Sequence, residues 1–284
     1  MANIAFLGTG LLGAAFAEAA AQRGDSVTAW NRSIDKVLAL GRFGVKAAAT
    51  PAEAARGASR VHLVLKDDSV VEEVIAAARH GMSAEAILID HTTTSPTLTA
   101  KRAEAFQAAG LNYLHCPVFM GPVHARKAQG SMMVAGPRAL FQSVEAELAK
   151  MTGRLEYLGE RPDLAAAKKL IGNAMIIGLS ATLADVLTLA QASNVGGEDA
   201  IGLIGLLDLN AMVASRGLNM AKGSFALSFE LAMARKDVRL MLETAGNRPL
   251  AALPAIAARM DQLISAGHGA NDASILAIDA VTRA

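Results

Sequence analysis

Gly8-Thr9-Gly10-Leu11-Leu12-Gly13 follows the apolar run Ile4-Ala5-Phe6-Leu7 and opens an alanine-rich segment, Ala14 to Gln22. The order reads as strand, glycine turn, helix, the setting in which a Gly-x-Gly-x-x-Gly spacing binds a dinucleotide. Each glycine is needed for a different reason. Gly8 makes the tight turn, Gly10 lets the backbone approach a pyrophosphate, and Gly13 packs the helix closely on the strand. Free N–H groups and the positive end of the helix dipole then face the phosphates, so Thr9, Leu11 and Leu12 count with the glycines as cofactor-binding residues.

Ser26-Val27-Thr28-Ala29-Trp30 reads as the second strand, and Asn31-Arg32-Ser33 stands at its end. A domain that binds NAD commonly has a carboxylate there to accept from the ribose 2′-hydroxyl. None is present. Arg32 can bind a 2′-phosphate bidentately, with neutral hydrogen bonds from Asn31 and Ser33, so the expected cofactor is NADP(H).

Val61-His62-Leu63-Val64-Leu65 has the continuous apolar character of a strand buried on both faces. Leu65 and Lys66, at its carboxyl end, are further cofactor-binding candidates. Thr50-Pro51-Ala52-Glu53 has the spacing of a capping box. Ala86 to Asp90 is another strand, and Thr92 and Thr93 follow it, where open α/β sheets bind ligands. His62 reads as a core histidine, and His91 lacks an orienting carboxylate or a nucleophile to serve as a base. The stretch from Cys116 through Gly121-Pro122 reads as an irregular loop. A strand at Met132 to Ala135, a helix at Pro137 to Lys150 and an edge strand at Leu155 to Gly159 come after it.

The 284 residues are 52% hydrophobic but only 4% aromatic, which favours helices packed on small side chains. With 27 basic against 26 acidic residues and no long basic run, nucleic acid is not an expected partner. The lone Cys116 excludes an intramolecular disulfide and suits a reducing, cytoplasmic setting as a buried thiol. The six histidines show no metal-ligand spacing. Ala174 to Ala190 is long and apolar but carries Ser180, Thr182, Asp185 and Thr188; it is expected to be a buried helix rather than a membrane span.

From Asp163 onward helical spacing replaces strand-like runs, setting a boundary near Arg161-Pro162: an α/β domain over 1–161 and an all-helical domain over 162–284. Lys169 and Asn173 are four apart and share a helix face. Two lysines at a helix start oppose the helix dipole, a local choice that points to function.

Taken in order, Gly8-x-Gly10-x-x-Gly13, Asn31-Arg32-Ser33, Asp90-x-Thr92-Thr93-x-x-Pro96, Lys169-x-x-x-Asn173 and Lys236-Asp237 resemble the β-hydroxyacid dehydrogenases. That family includes 3-hydroxyisobutyrate dehydrogenase, tartronate semialdehyde reductase and the glyoxylate/succinic semialdehyde reductases. The likeness covers nearly the whole chain. It implies a doubly wound Rossmann-type domain followed by a helical domain, an active site between them, and a homodimer or homotetramer built through the helical half. It further implies that Lys169 is the general acid that protonates a small carbonyl substrate, and the base in reverse. Asn173 would help to hold substrate and lysine, and Thr93 and Lys236 would approach the cofactor. Thr92, Thr93, Phe119, Met120, Gly121, Lys169 and Asn173 form the expected substrate-binding set.

Two departures concern the substrate. The family commonly reads Asp-Ala-Pro-Val-Ser-Gly-Gly, where this chain has His115-Cys116-Pro117-Val118-Phe119-Met120-Gly121, a bulkier and more apolar lining. The glycines that usually precede the lysine are also absent from Pro162 to Lys168. An imine reductase on the same fold and a non-catalytic cofactor-binding relative are the alternatives, and Lys169 argues against both.

Overall fold

The structure is a computed structural model that describes residues 2–281. It comprises two compact units that divide between Asn173 and Ala174. In the first unit β1 (Asn3–Leu7), α1 (Leu11–Gln22), β2 (Ser26–Trp30), α2 (Asp35–Leu38), β3 (Lys46–Ala47) and α3 (Pro51–Ala55) come first. β4 (Arg60–Leu63), α4 (Asp68–Ala78), β5 (Ile87–Asp90), α5 (Pro96–Ala108) and β6 (Asn112–His115) follow.

The six strands form one parallel sheet in the order β3-β2-β1-β4-β5-β6. Side chains alternate across it. Ile4 and Phe6 join Phe16, Ile89 and Leu114 in a core on one face, while Ala5 and Leu7 join Val61, Leu63 and Ile75 on the other. Burying each large apolar side chain contributes about 1.5–3 kcal/mol, and both faces need cover; this is why these strands read as apolar runs.

Register decides where function can sit. Trp30, Leu7, Leu63, Asp90 and His115 stand side by side across β2, β1, β4, β5 and β6. Asn31, Gly8, Val64, His91 and Cys116 therefore leave the sheet at one level. The direction of winding reverses between β1 and β4, the switch point at which such sheets take ligands.

The expected irregular loop after Cys116 is instead built from regular pieces. β7 (Val118–Phe119) pairs antiparallel with β8 (Ser131–Val134), and α6 (Pro122–Arg126) lies between them. Pro122 at the first helical position gives up an N–H that needs no partner, which lets a helix start where the proline suggested a break. After α7 (Arg138–Ala149), β9 (Arg154–Tyr157) completes this small sheet alongside β8. α8 (Asp163–Ala192) begins by packing Ala165 against Met133, Ala135, Phe119 and Leu158. Its first turns thus belong to the first unit.

The second unit continues α8 through α9 (Gly197–Gly202), α10 (Leu209–Met212), α11 (Leu218–Ala221), α12 (Leu231–Ala245) and α13 (Leu253–Leu263). Leu231, Val238, Met260 and Leu263 form its core. Asp185 of α8 accepts hydrogen bonds from the N–H groups of Ala251, Ala252 and Leu253 at 2.6, 2.9 and 2.8 Å, capping α13 from another helix. Burial opposes its ionisation, but the three backbone donors outweigh it and hold the carboxyl below its usual range.

The expectation that Ala174 to Ala190 is buried fails within the single chain: Met175, Ile176 and Ile177 are 60%, 55% and 67% exposed. By length and composition alone α8 could cross a membrane, with a mean hydropathy of 1.7 in its most apolar window. Periodicity could not foresee the exposure, because a helix apolar all round reports a need for cover without naming what supplies it.

Candidate active site

The glycine turn has the geometry its sequence required. Gly8 has φ +99°, the left-handed region, and a Cβ on it would collide with the Val64 carbonyl oxygen. A Cβ on Gly13 would strike the Gly8 carbonyl oxygen and lie 3.1 Å from Val64 Cβ, so α1 approaches the sheet as closely as backbone allows. Gly10 differs: nothing lies within 4 Å of the position its Cβ would take. No side chain caps the first turn of α1, and the buried Thr9 hydroxyl has no hydrogen-bond partner among the described residues. Open space, uncapped amides and an unpartnered hydroxyl fit a dinucleotide phosphate at this turn. Leu11 projects outward, and Leu12 packs partly on the core.

At the end of β2, Asn31 is already committed. Its Oδ1 accepts from Thr9 N–H at 3.1 Å and its Nδ2 donates to the Ser33 carbonyl at 3.1 Å. Asn31 fastens β2 to the glycine turn. Arg32 and Ser33 are exposed, and no ion pair engages the Arg32 guanidinium among the described residues.

The next two loops are tied together. Leu65 N–H donates to the Thr92 hydroxyl at 3.1 Å, and Thr92 N–H donates to Asp90 Oδ1 at 2.9 Å. Thr92 is buried and holds the loop, whereas Thr93 is exposed, as is Lys66, whose ammonium lies 3.7 Å from Asp67. Beneath them Tyr113 donates from its hydroxyl to Asp90 Oδ2 at 2.9 Å, with the His115 ring 3.8 Å from the same oxygen. Burial opposes the Asp90 charge, but His115 and Thr92 outweigh it and hold the carboxyl low. Arg102 binds Glu72 at 2.7 Å and Asp68 at 2.6 Å. The sequence motif contains Asp90 but gives no sign of Arg102, Tyr113 and His115 as its surroundings; the register of β5 with β6 brings Tyr113 and His115 there, and the packing of α5 brings Arg102, 3.8 Å from Asp90.

His62 and His91 form a second buried pair. His91 Nδ1 lies 2.8 Å from the Cys116 carbonyl, which can only accept, so the proton is on Nδ1. His91 Nε2 then accepts from His62 Nδ1 at 3.0 Å. Burial lowers the His91 pKa to about 4 and that of His62 well below its ordinary value. Both are core residues and neither is free to act as a base. Burial also pushes the Cys116 thiol up, which makes it inert.

Lys169 lies one turn beyond Ala165 on α8. Its ammonium sits over the Phe119 ring, 4.1 Å from the centroid. Asn173, one turn further, is on the same face and half-buried. Burial lowers the Lys169 pKa, and no carboxylate stands within ion-pair distance among the described residues. The neighbouring Lys168 instead turns to Glu156, 3.8 Å away. Met120 and Gly121 are half-buried beside Phe119, and Gly121 starts α6. Lys236 lies on α12 in the second unit, with its ammonium 2.9 Å from Asp237.

Residues 3–159, more than half of the chain, match the family described as the NAD binding domain of 6-phosphogluconate dehydrogenase. The chain belongs to that family, the β-hydroxyacid dehydrogenases. Among its relatives, 3-sulfolactaldehyde reductase of Escherichia coli is 27% identical, covering 97% of this chain and 95% of that protein. Glyoxylate/succinic semialdehyde reductase 1 of Arabidopsis thaliana is 28% identical over 88% of this chain and 89% of its own length. The fold is shared with the Streptomyces aurantiacus imine reductase, with a TM-score of 0.88, 24% identity, and coverage of 98% and 99% of the two chains. This β-hydroxyacid dehydrogenase family member is thus an oxidoreductase with a nicotinamide-dinucleotide domain and a small-molecule substrate.

Proposed function

We propose that the chain is a cytoplasmic, NADP(H)-dependent reductase that interconverts a small aldehyde or keto acid with its hydroxy acid, using Lys169 as general acid and base. The observation that carries this reading is the state of Lys169: an ammonium half out of water, with no carboxylate beside it among the described residues. Desolvation without a counter-ion is the condition that brings a lysine towards the range useful for proton transfer.

Gly8 to Gly13 would hold the pyrophosphate, and Arg32 and Ser33 the 2′-phosphate, with Leu65, Lys66, Thr93 and Lys236 as further cofactor contacts. The chemistry a bound nicotinamide would supply is hydride for the carbonyl carbon, or an acceptor for hydride from the hydroxyl-bearing carbon in reverse. Lys169 Nζ delivers the proton to the carbonyl oxygen, and takes it back when the hydroxy acid is oxidised. Asn173, on the same helix face, orients the oxygen towards it. Thr92 keeps the loop in place so that Thr93 can reach the ligand, while Phe119, Met120 and Gly121 line the substrate.

The apolar ring of Phe119 favours one second reading, reduction of a cyclic imine. Wild type and Lys169→Ala, assayed with NADPH on small semialdehydes, glyoxylate and cyclic imines, separate the readings. Reduction of the aldehydes by wild type and its loss in the variant is expected; turnover of imines alone would overturn the carbonyl assignment.

A further inference from the structure

We propose that Phe119 is a positioning residue for Lys169: its ring face, seated against Gly172, takes the place of a counter-ion and holds the ammonium in register with the reacting oxygen. Two features place the ring. Phe119 is fixed at the backbone through β7, where it pairs with Ser131 of β8. Its ring packs so tightly on α8 that a Cβ on Gly172 would fall within it, 2.8 Å from Cε1 even at the second-nearest atom. The Lys169 ammonium then lies 4.1 Å above the centroid, well inside the range of a cation–π contact.

The chemistry explains why a ring suits this position. A carboxylate would hold the proton on lysine too firmly and would compete for the substrate oxygen. Burial with no partner would strip the proton away. The quadrupole of the ring attracts the ammonium without accepting a hydrogen bond, so all three N–H donors stay available. The charged groups on the elements around Lys169 are otherwise engaged: Lys168 faces Glu156, Arg154 also binds Glu156 at 3.1 Å, and β7 contributes no charge.

The catalytic meaning of this contact rests on the role proposed for Lys169, but the contact itself can be measured without turnover. The experiment is ¹³C–¹H spectroscopy of lysine-labelled wild type, Phe119→Leu, Phe119→Tyr and Gly172→Ala across a pH titration, with the Lys169 signal identified by its absence in Lys169→Ala. In wild type the Lys169 Hε signals are expected upfield of the other lysines through the ring current. Phe119→Leu keeps the apolar bulk but loses the quadrupole. The upfield displacement should vanish and the titration midpoint fall by about half a unit to one and a half units. Phe119→Tyr should retain both features. Gly172→Ala, which unseats the ring while leaving it in the chain, should behave like Phe119→Leu, and unchanged signals from the other lysines certify that each variant is folded. Unshifted Lys169 signals in wild type, or a Phe119→Leu midpoint that stays put or rises, would overturn the proposal. Full turnover by Lys169→Ala would instead sink the general-acid reading and leave the contact standing.

Discussion

At the scale of single residues, the cofactor preference comes down to Arg32. Its neighbour Asn31 commits both ends of its amide to Thr9 and Ser33, and the exposed Arg32 guanidinium is the cation beside it that can meet a 2′-phosphate. A hydrogen bond to a charged group contributes about 1.5–3 kcal/mol. Arg32→Ala is therefore expected to weaken NADPH binding by roughly ten- to a hundredfold while NADH binding changes little. Fluorescence titration with the two reduced cofactors checks this, and equal losses would show that Arg32 makes no such contact. Asn31 also shows where a sequence stops being informative: its side chain has the right chemistry for the ligand, but hydrogen bonds that close a turn are invisible until the turn is built.

Among the elements, β4 and the segment leaving β5 carry a pH dependence through the paired His62 and His91. A neutral histidine whose folded pKa lies below its free value of about 6.5 destabilises the fold as pH falls, because only the unfolded chain takes up the proton. For His91 the window runs from about 6.5 down to its folded pKa of about 4, and the complete effect is on the order of 3 kcal/mol; His62 acts in the same direction. Thermal melts should therefore show Tm dropping steadily between these limits, with a shallower slope in His91→Asn, whose side chain can still donate to the Cys116 carbonyl. A Tm flat across that window would contradict the neutral pair.

The elements also mark how far the sequence could be read. β1, β4, β5 and the glycine turn were legible because a parallel sheet buried on both faces demands apolar runs, and Thr50 does accept from Glu53 N–H as its capping-box spacing implied. β7 and α6 were not legible, since two-residue strands have no periodicity and Pro122 starts a helix as readily as it ends one. The surroundings of Asp90 depend on long-range register and helix packing, which no local pattern encodes.

For the whole molecule, the exposed apolar length of α8 demands a cover. Contiguous apolar surface beyond a few hundred Å² marks an interface, and a second copy of the helical half is the proposed one, giving a homodimer or homotetramer. Light scattering after size exclusion should return a multiple of the 29.3 kDa chain mass, and Ile177→Glu, at a residue 67% exposed in the single chain, should shift the population to monomer. A wild type that runs as a monomer, or that partitions into membranes, would rule this assembly out.

The central claim, that Lys169 moves the proton, is tested most directly by the turnover rate of Lys169→Ala with NADPH and whichever aldehyde wild type reduces. Loss of a general acid costs roughly a hundred- to ten-thousandfold. That fall in kcat, with NADPH affinity intact, is the result expected, and a kcat equal to that of wild type would contradict it.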